Sequence, residues 1–138
     1  MAARIDAARF YADESVLGLG KSLAYARHDV LYCGHPVIPE CPLGIDDVDW
    51  IPLVAKRGLV AITRDKRIRT RPGERLAVKQ SGLRMFTIST KNDADTWEWL
   101  GLLVRNWAVM ESTLVQHPTG PWIYAVNQAK LARIPLDQ

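Results

Sequence analysis

Three short stretches put carboxylates where they could do chemistry. "FYADES" ends an apolar run in Asp13 and Glu14. "IDDVDW" opens an amphipathic run with Asp46, Asp47 and Asp49. "LVAITRDKRIR" is strongly apolar until Asp65, then basic through Lys66, Arg67 and Arg69. Carboxylates brought together repel one another, and a divalent cation among them relieves the repulsion. All-oxygen ligands favour Mg²⁺ or Mn²⁺. Such an ion can activate water and stabilise the oxyanions of a breaking phosphodiester. On this reading the acids hold the metal. The bases Arg64, Lys66, Arg67 and Arg69 hold the flanking phosphates of the polymer, and Lys21 is a further candidate contact.

Each residue also has a plainer reading. Asp13 could cap the helix after it, although Ser15 is available for that role. Asp46 and Asp47 could be a cap and a favourable charge on a helix dipole, and Asp49 a further dipole partner. Asp65 could form a local ion pair with Arg64 or Lys66, but surface pairs contribute little and would not require it.

Charge supports a polyanionic partner. The net charge is +3, yet Lys56 to Arg84 holds ten Lys or Arg against two acids, leaving eight against thirteen elsewhere. A basic segment on an otherwise acidic chain suits nucleic acid. Hydrophobic content of 48% and charged content of 24% over 138 residues fit one globular domain, 1–138. No apolar run is long enough to span a bilayer, and "MAARIDAARF" lacks a signal-peptide core. The expectation is a cytoplasmic protein whose two cysteines, Cys33 and Cys41, stay reduced.

The elements that must position the acids alternate. "ARFYAD" reads as a strand, followed by a helix with Val16, Leu19 and Leu23 on one face and with Gly18 and Gly20 allowing close approach. "HDVLYCG" is a second strand, and "HPVIPECPLGI" a loop with three prolines. "DDVDWIPLVAKRG" is a helix stopped by Gly58, with Pro52 near its start. "LVAIT" is a third strand, too apolar for an edge. "RPGERLAVKQSG" is a short helix from Pro72 to Gly82, and "LRMFTIS" a fourth strand. "DADTWEWLGLLVRNWAVMESTL" is a long helix whose stripe of Trp97, Leu100, Leu103, Val104 and Trp107 predicts its buried face. Trp99, Leu102 and Met110 fall on other faces, so a hairpin after Pro121 or a second subunit could cover part of it. "PWIYAVNQAKLARIPL" predicts a closing β-hairpin turning at Asn127 to Ala129. The pattern predicts a three-layer α/β/α fold with a mostly parallel central sheet. In such sheets the site lies beyond the carboxyl ends of the strands, where Asp13 and Asp65 fall. Whether the helix opened by Asp46 turns its first residues toward that end stays open.

At this point the sequence resembles a family. "FYADESV" followed by "DDVDWIPLVAKRGLVAITRDKRIR" is similar to the PIN-like nucleases, in the variety whose first strand ends in an Asp-Glu-Asn-like triplet and whose third ends in Thr-Lys/Arg-Asp-Lys. The likeness runs from about Phe10 to Ser89. It implies a parallel sheet between helices and metal-dependent cleavage of RNA. It also implies the role of many members, VapC-type toxin ribonucleases held by a cognate antitoxin protein. Residue by residue, it implies Asp13, Asp47 and Asp65 as catalytic metal ligands and Thr63 as the supporting hydroxyl. Many relatives carry a further acid two or three residues after the third, where this sequence has Arg67 and Ile68. Glu14 or Asp49 could compensate, and a degenerate module that binds RNA or protein without cutting is the alternative.

Other signals carry less. Cys33, His35 and Cys41 lack a fourth zinc ligand at suitable spacing. Cys33 as a nucleophile lacks an evident base pairing. "LGLGKS" does not have P-loop spacing. Asp13 followed by Glu14 and Ser15 does not fit the Asp-x-Asp of a dehalogenase-like phosphatase. The basic run does not suit a phospho-acceptor Asp65.

Overall fold

The alternating apolar runs form a six-stranded sheet. The computed structural model describes residues 8–90, 94–128 and 130–136. The strands are β1 (Phe10–Ala12), β2 (Val30–Tyr32), β3 (Val60–Thr63), β4 (Arg84–Ile88), β5 (Trp122–Val126) and β6 (Leu131–Ile134), in the spatial order β2-β1-β3-β4-β5-β6. Every pairing from β2 to β5 is parallel, and β6 returns antiparallel along β5. The expected hairpin is therefore present, and its first arm extends the parallel sheet. Of its expected turn, Ala129 lies outside the described residues, while Asn127 accepts Lys130 N–H at 3.1 Å through its side chain.

The strands expose alternate residues to two cores. Tyr11, Leu31, Ala61, Met85 and Ile123 face one layer, made by α2 (Asp47–Lys56), α3 (Arg67–Thr70) and α4 (Pro72–Ser81). Phe10, Ala12, Val60, Ile62 and Phe86 face the other, made by α1 (Leu17–Ala26) and α5 (Thr96–Gln116). The expected α/β/α layering follows from that period of two. Gly58 and Gly82 end α2 and α4 with φ of 72° and 75°, as their sequence positions predicted. Gly20 seats α1 against β1, for a Cβ there would fall 2.6 Å from that of Ala12.

Two expectations need correcting. Ser15 does not cap α1: it lies in a 3₁₀ turn, Glu14–Val16, and its hydroxyl turns back to Asp13. Four residues of the basic run form α3 and carry Ile68 into the core. The buried face of α5 is also rotated from the predicted stripe. It runs through Leu102, Leu103, Asn106, Met110 and Thr113, while Trp97 is 79% and Val104 65% exposed. Apolar side chains surround this helix, so periodicity alone could not fix its phase. The two polar residues in the stripe bond to their own helix, Asn106 Nδ2 to Leu102 O at 2.9 Å and Thr113 Oγ1 to Val109 O at 2.8 Å. These bonds offset the cost of burying the two groups. Among the described residues no helix is long and apolar enough to cross a membrane.

Candidate active site

β1 and β3 are hydrogen-bonded neighbours running the same way, so Asp13 and Asp65 leave the sheet at the same end. The loop after β2 stays at that end before α2 begins, and α2 then runs back toward the start of β3. Its first turn is thereby delivered to the strand carboxyl ends without lying across the sheet, which answers the orientation left open by the sequence. Asp13, Glu14, Asp46, Asp47, Asp65 and Arg67 line one cavity there, of about 370 Å³. Asp49 is exposed and is not among the lining residues.

Asp13 is 2% exposed. Ser15 Oγ donates to its Oδ1 at 2.5 Å and Thr63 Oγ1 to its Oδ2 at 2.7 Å. Each hydroxyl in turn accepts a backbone N–H from the exit of β3: Arg64 N–H reaches Ser15 at 3.0 Å and Asp65 N–H reaches Thr63 at 3.1 Å. Those amides leave the hydroxyl protons free to point at Asp13. No basic side chain among the described residues pairs with it. Burial is the dominant influence and pushes its pKa up to about 7. The two hydroxyls act against that rise, and the charges of Asp47 and Asp65 add to it.

Asp65 is the opposite case. Arg67 grips it with Nε at 2.9 Å from Oδ1 and 3.0 Å from Oδ2, with Nη2 at 2.6 Å from Oδ2, and with its backbone N–H at 2.9 Å from Oδ1. The guanidinium holds the Asp65 carboxyl below its ordinary range, against the opposing effect of burial. Asp47 lies between these extremes. Burial raises its pKa, the Trp50 indole N–H bonded to its Oδ1 at 2.9 Å counters this, and the neighbouring Asp65 raises it again. Glu14 is tied to the loop, accepting Gly44 N–H at 2.6 Å.

The donor set is all oxygen, and a buried carboxylate without a cation suits a hard divalent ion. The chemistry of the residues therefore fits Mg²⁺ or Mn²⁺ at Asp13, Asp47 and Asp65. Among the described residues, however, no three acidic, His or Cys side chains stand close enough to form a ready-made ligand group. Arg67 stands among the acids instead.

The remaining bases scatter. The Arg64 guanidinium lies over the Trp99 ring at 4.6 Å, and the Lys21 ammonium over Tyr32 at 5.8 Å. Lys66 is exposed and Arg69 half-buried. Arg71, not singled out from the sequence, lines a second cavity of about 240 Å³ that shares Asp46, Asp47 and Arg67 with the first. Ser15 and Trp50 were likewise missed as partners of the acids. The Trp50 signal was readable, since a residue three positions after Asp47 shares its helix face.

A family profile described as "PIN like domain" matches residues 8–90, more than half of the chain. No curated protein and no solved structure matches it. The matched span contains β1, α2, β3 and all five acids that line the cavity, and the chain belongs to the PIN-like domain family.

Proposed function

We propose that this protein is a metal-dependent endoribonuclease that hydrolyses RNA phosphodiester bonds at the cavity of Asp13, Asp47 and Asp65. The observation that carries this reading is that three acids from three separate elements share one cavity, at the end of a parallel sheet where ligand sites belong. Asp13, Asp47 and Asp65 would hold Mg²⁺ or Mn²⁺. When bound, such an ion supplies a nucleophilic water and stabilises charge on the phosphate. Thr63 and Ser15 orient Asp13, and Trp50 orients Asp47. Lys66, Arg69 and Arg71, with Arg64 and Lys21, form the cationic surround for flanking phosphates.

The resemblance to toxin ribonucleases extends the proposal. The chain acts in the cytoplasm as the toxin of a toxin–antitoxin pair, and its antitoxin is encoded beside it. The exposed apolar residues Trp97, Val104, Val109 and Val115 on α5 support a homodimer. A cleavage assay on structured and single-stranded RNA tests the core claim. Activity is expected with Mg²⁺ or Mn²⁺, and none in EDTA or in Asp13→Asn. Metal-independent cleavage, or full activity in the variant, overturns it.

A second reading has its own observation. Arg67 occupies both oxygens of Asp65, as it would in a binding module that no longer cuts. RNA binding without cleavage under any divalent ion would decide for that reading.

A further inference from the structure

We propose that Arg67 is a tethered counter-ion that competes with the divalent cation for Asp65 and moves onto a substrate phosphate when RNA arrives, so that metal binding and RNA binding favour each other. The inference rests on the metal-dependent reading above and adds a regulator of that same site.

Arg67 makes four contacts to Asp65 through three N–H groups. Its Oδ1 takes the backbone N–H and Nε of Arg67, and its Oδ2 takes Nε and Nη2. Both oxygens are committed to Arg67, so a metal ion at Asp65 must compete with the guanidinium. The two partners differ in freedom. The Asp65 side chain is 10% exposed and the Arg67 side chain 57%. A half-buried carboxylate left without a cation is costly, whereas an exposed arginine returns to water cheaply. Asp65 therefore always takes one cation or the other, and Arg67 is the one able to leave.

The structure also provides a place for it to go. Arg67 lines both the acid cavity and the adjoining one, where Arg71 stands. The planar fork that grips a carboxylate grips a phosphate equally well. A phosphate seated beside Arg71 would draw the guanidinium from Asp65 and open that carboxylate at the moment the substrate is in place. Before then, the single charge of Arg67 stands in for the ion in a cluster that would otherwise repel itself.

The test is Mn²⁺ titration, followed by calorimetry and by the paramagnetic signal of free Mn²⁺, on the wild type, Arg67→Ala, Arg67→Lys and Asp65→Asn. Circular dichroism checks folding, and Arg67→Gln is read in place of Arg67→Ala if the alanine variant does not fold. Arg67→Ala should bind Mn²⁺ about tenfold more tightly than wild type, as expected for removal of a bidentate charged competitor. Arg67→Lys should fall between, because a point charge cannot fork across both oxygens. A saturating 2′-O-methyl oligoribonucleotide, which cannot be cut, should tighten Mn²⁺ binding in the wild type more than in Arg67→Ala. Equal Mn²⁺ affinity in wild type and Arg67→Ala, with binding lost in Asp65→Asn, would overturn the counter-ion role and leave the nuclease reading standing. Tighter binding in Arg67→Ala with unchanged coupling to the oligonucleotide would overturn the exchange. No Mn²⁺ binding by any variant would overturn both this inference and the reading beneath it.

Discussion

Asp13 and Asp65 end neighbouring parallel strands and open into the same cavity, yet their surroundings are opposite. The end of β1 is buried and offers its carboxylate only neutral hydroxyls, so the pKa of Asp13 rises to about 7. The end of β3 turns straight into a basic helix, and Arg67 holds Asp65 ionised. One acid lacks a cation and the other already has one. The comparison teaches that position in a parallel sheet brings carboxylates together, while the residues that follow each strand decide how each behaves.

The largest expected effect erases the contrast. If both acids serve one ion, Asp13→Asn and Asp65→Asn should each lower RNA cleavage by about 10³-fold. Single-turnover kinetics with Mg²⁺ measures this, and a loss confined to one variant would assign the chemistry to one strand end. Stability should sharpen the contrast instead. The folded pKa of Asp13 lies above its unfolded value near 4, so the metal-free fold holds the extra proton. Stability should therefore fall as pH rises from about 4 to 7, by roughly 2–4 kcal/mol, and then level off. Asp13→Asn should flatten that decline in chemical denaturation. Asp65 works in the other direction: its lowered folded pKa adds stability above its unfolded value, lost as pH falls below about 4. Denaturation of Asp65→Asn across pH 2–5 reads that limb, which should be shallower than in the wild type.

Smaller effects separate the two hydroxyls. Thr63 is buried and links Asp13 to the Asp65 backbone, so Thr63→Val should cost about 1–2 kcal/mol. Ser15 is exposed, and Ser15→Ala should cost less than about 1 kcal/mol in the same urea titrations. The smallest change concerns salt. Replacing Lys66 and Arg69 by Ala should reduce the slope of log affinity against log salt by about 1.4 for single-stranded RNA, and an unchanged slope would make them a solvated face.

Much of this was legible in the sequence because the signals were local. The continuous apolar runs of β1 and β3, proline at the start of α4, and glycines after α2 and α4 each state a requirement within a few residues. The strand-end placement of Asp13 and Asp65 followed from the same signals. What escaped depended on direction. Asp65 was expected to face a metal with its basic neighbours facing RNA, but a two-residue step inside a new helical turn points Arg67 back at the acid. Ser15 looked like a cap because its hydroxyl could serve one. Only the pairing of β1 with β3 brings Thr63 and the Arg64 amide beside it. The phase of α5 was unreadable because apolar residues lie on every side of it.

The bond from Thr63 to Asp13 spans 50 residues of chain, and that distance has a meaning in time. During synthesis β1, α1, β2 and α2 all emerge before β3 exists. At about 5–20 residues per second, the chain passes several seconds with Asp13 made and neither Thr63 nor Asp65 available. Through that interval the acids cannot be assembled, whatever the metal supply. The cavity is completed only when β3 slots beside β1 and α3 closes over it, a long-range event that comes late in forming the sheet. A nascent chain that lacks β3 therefore cannot bring Asp13 and Asp65 together.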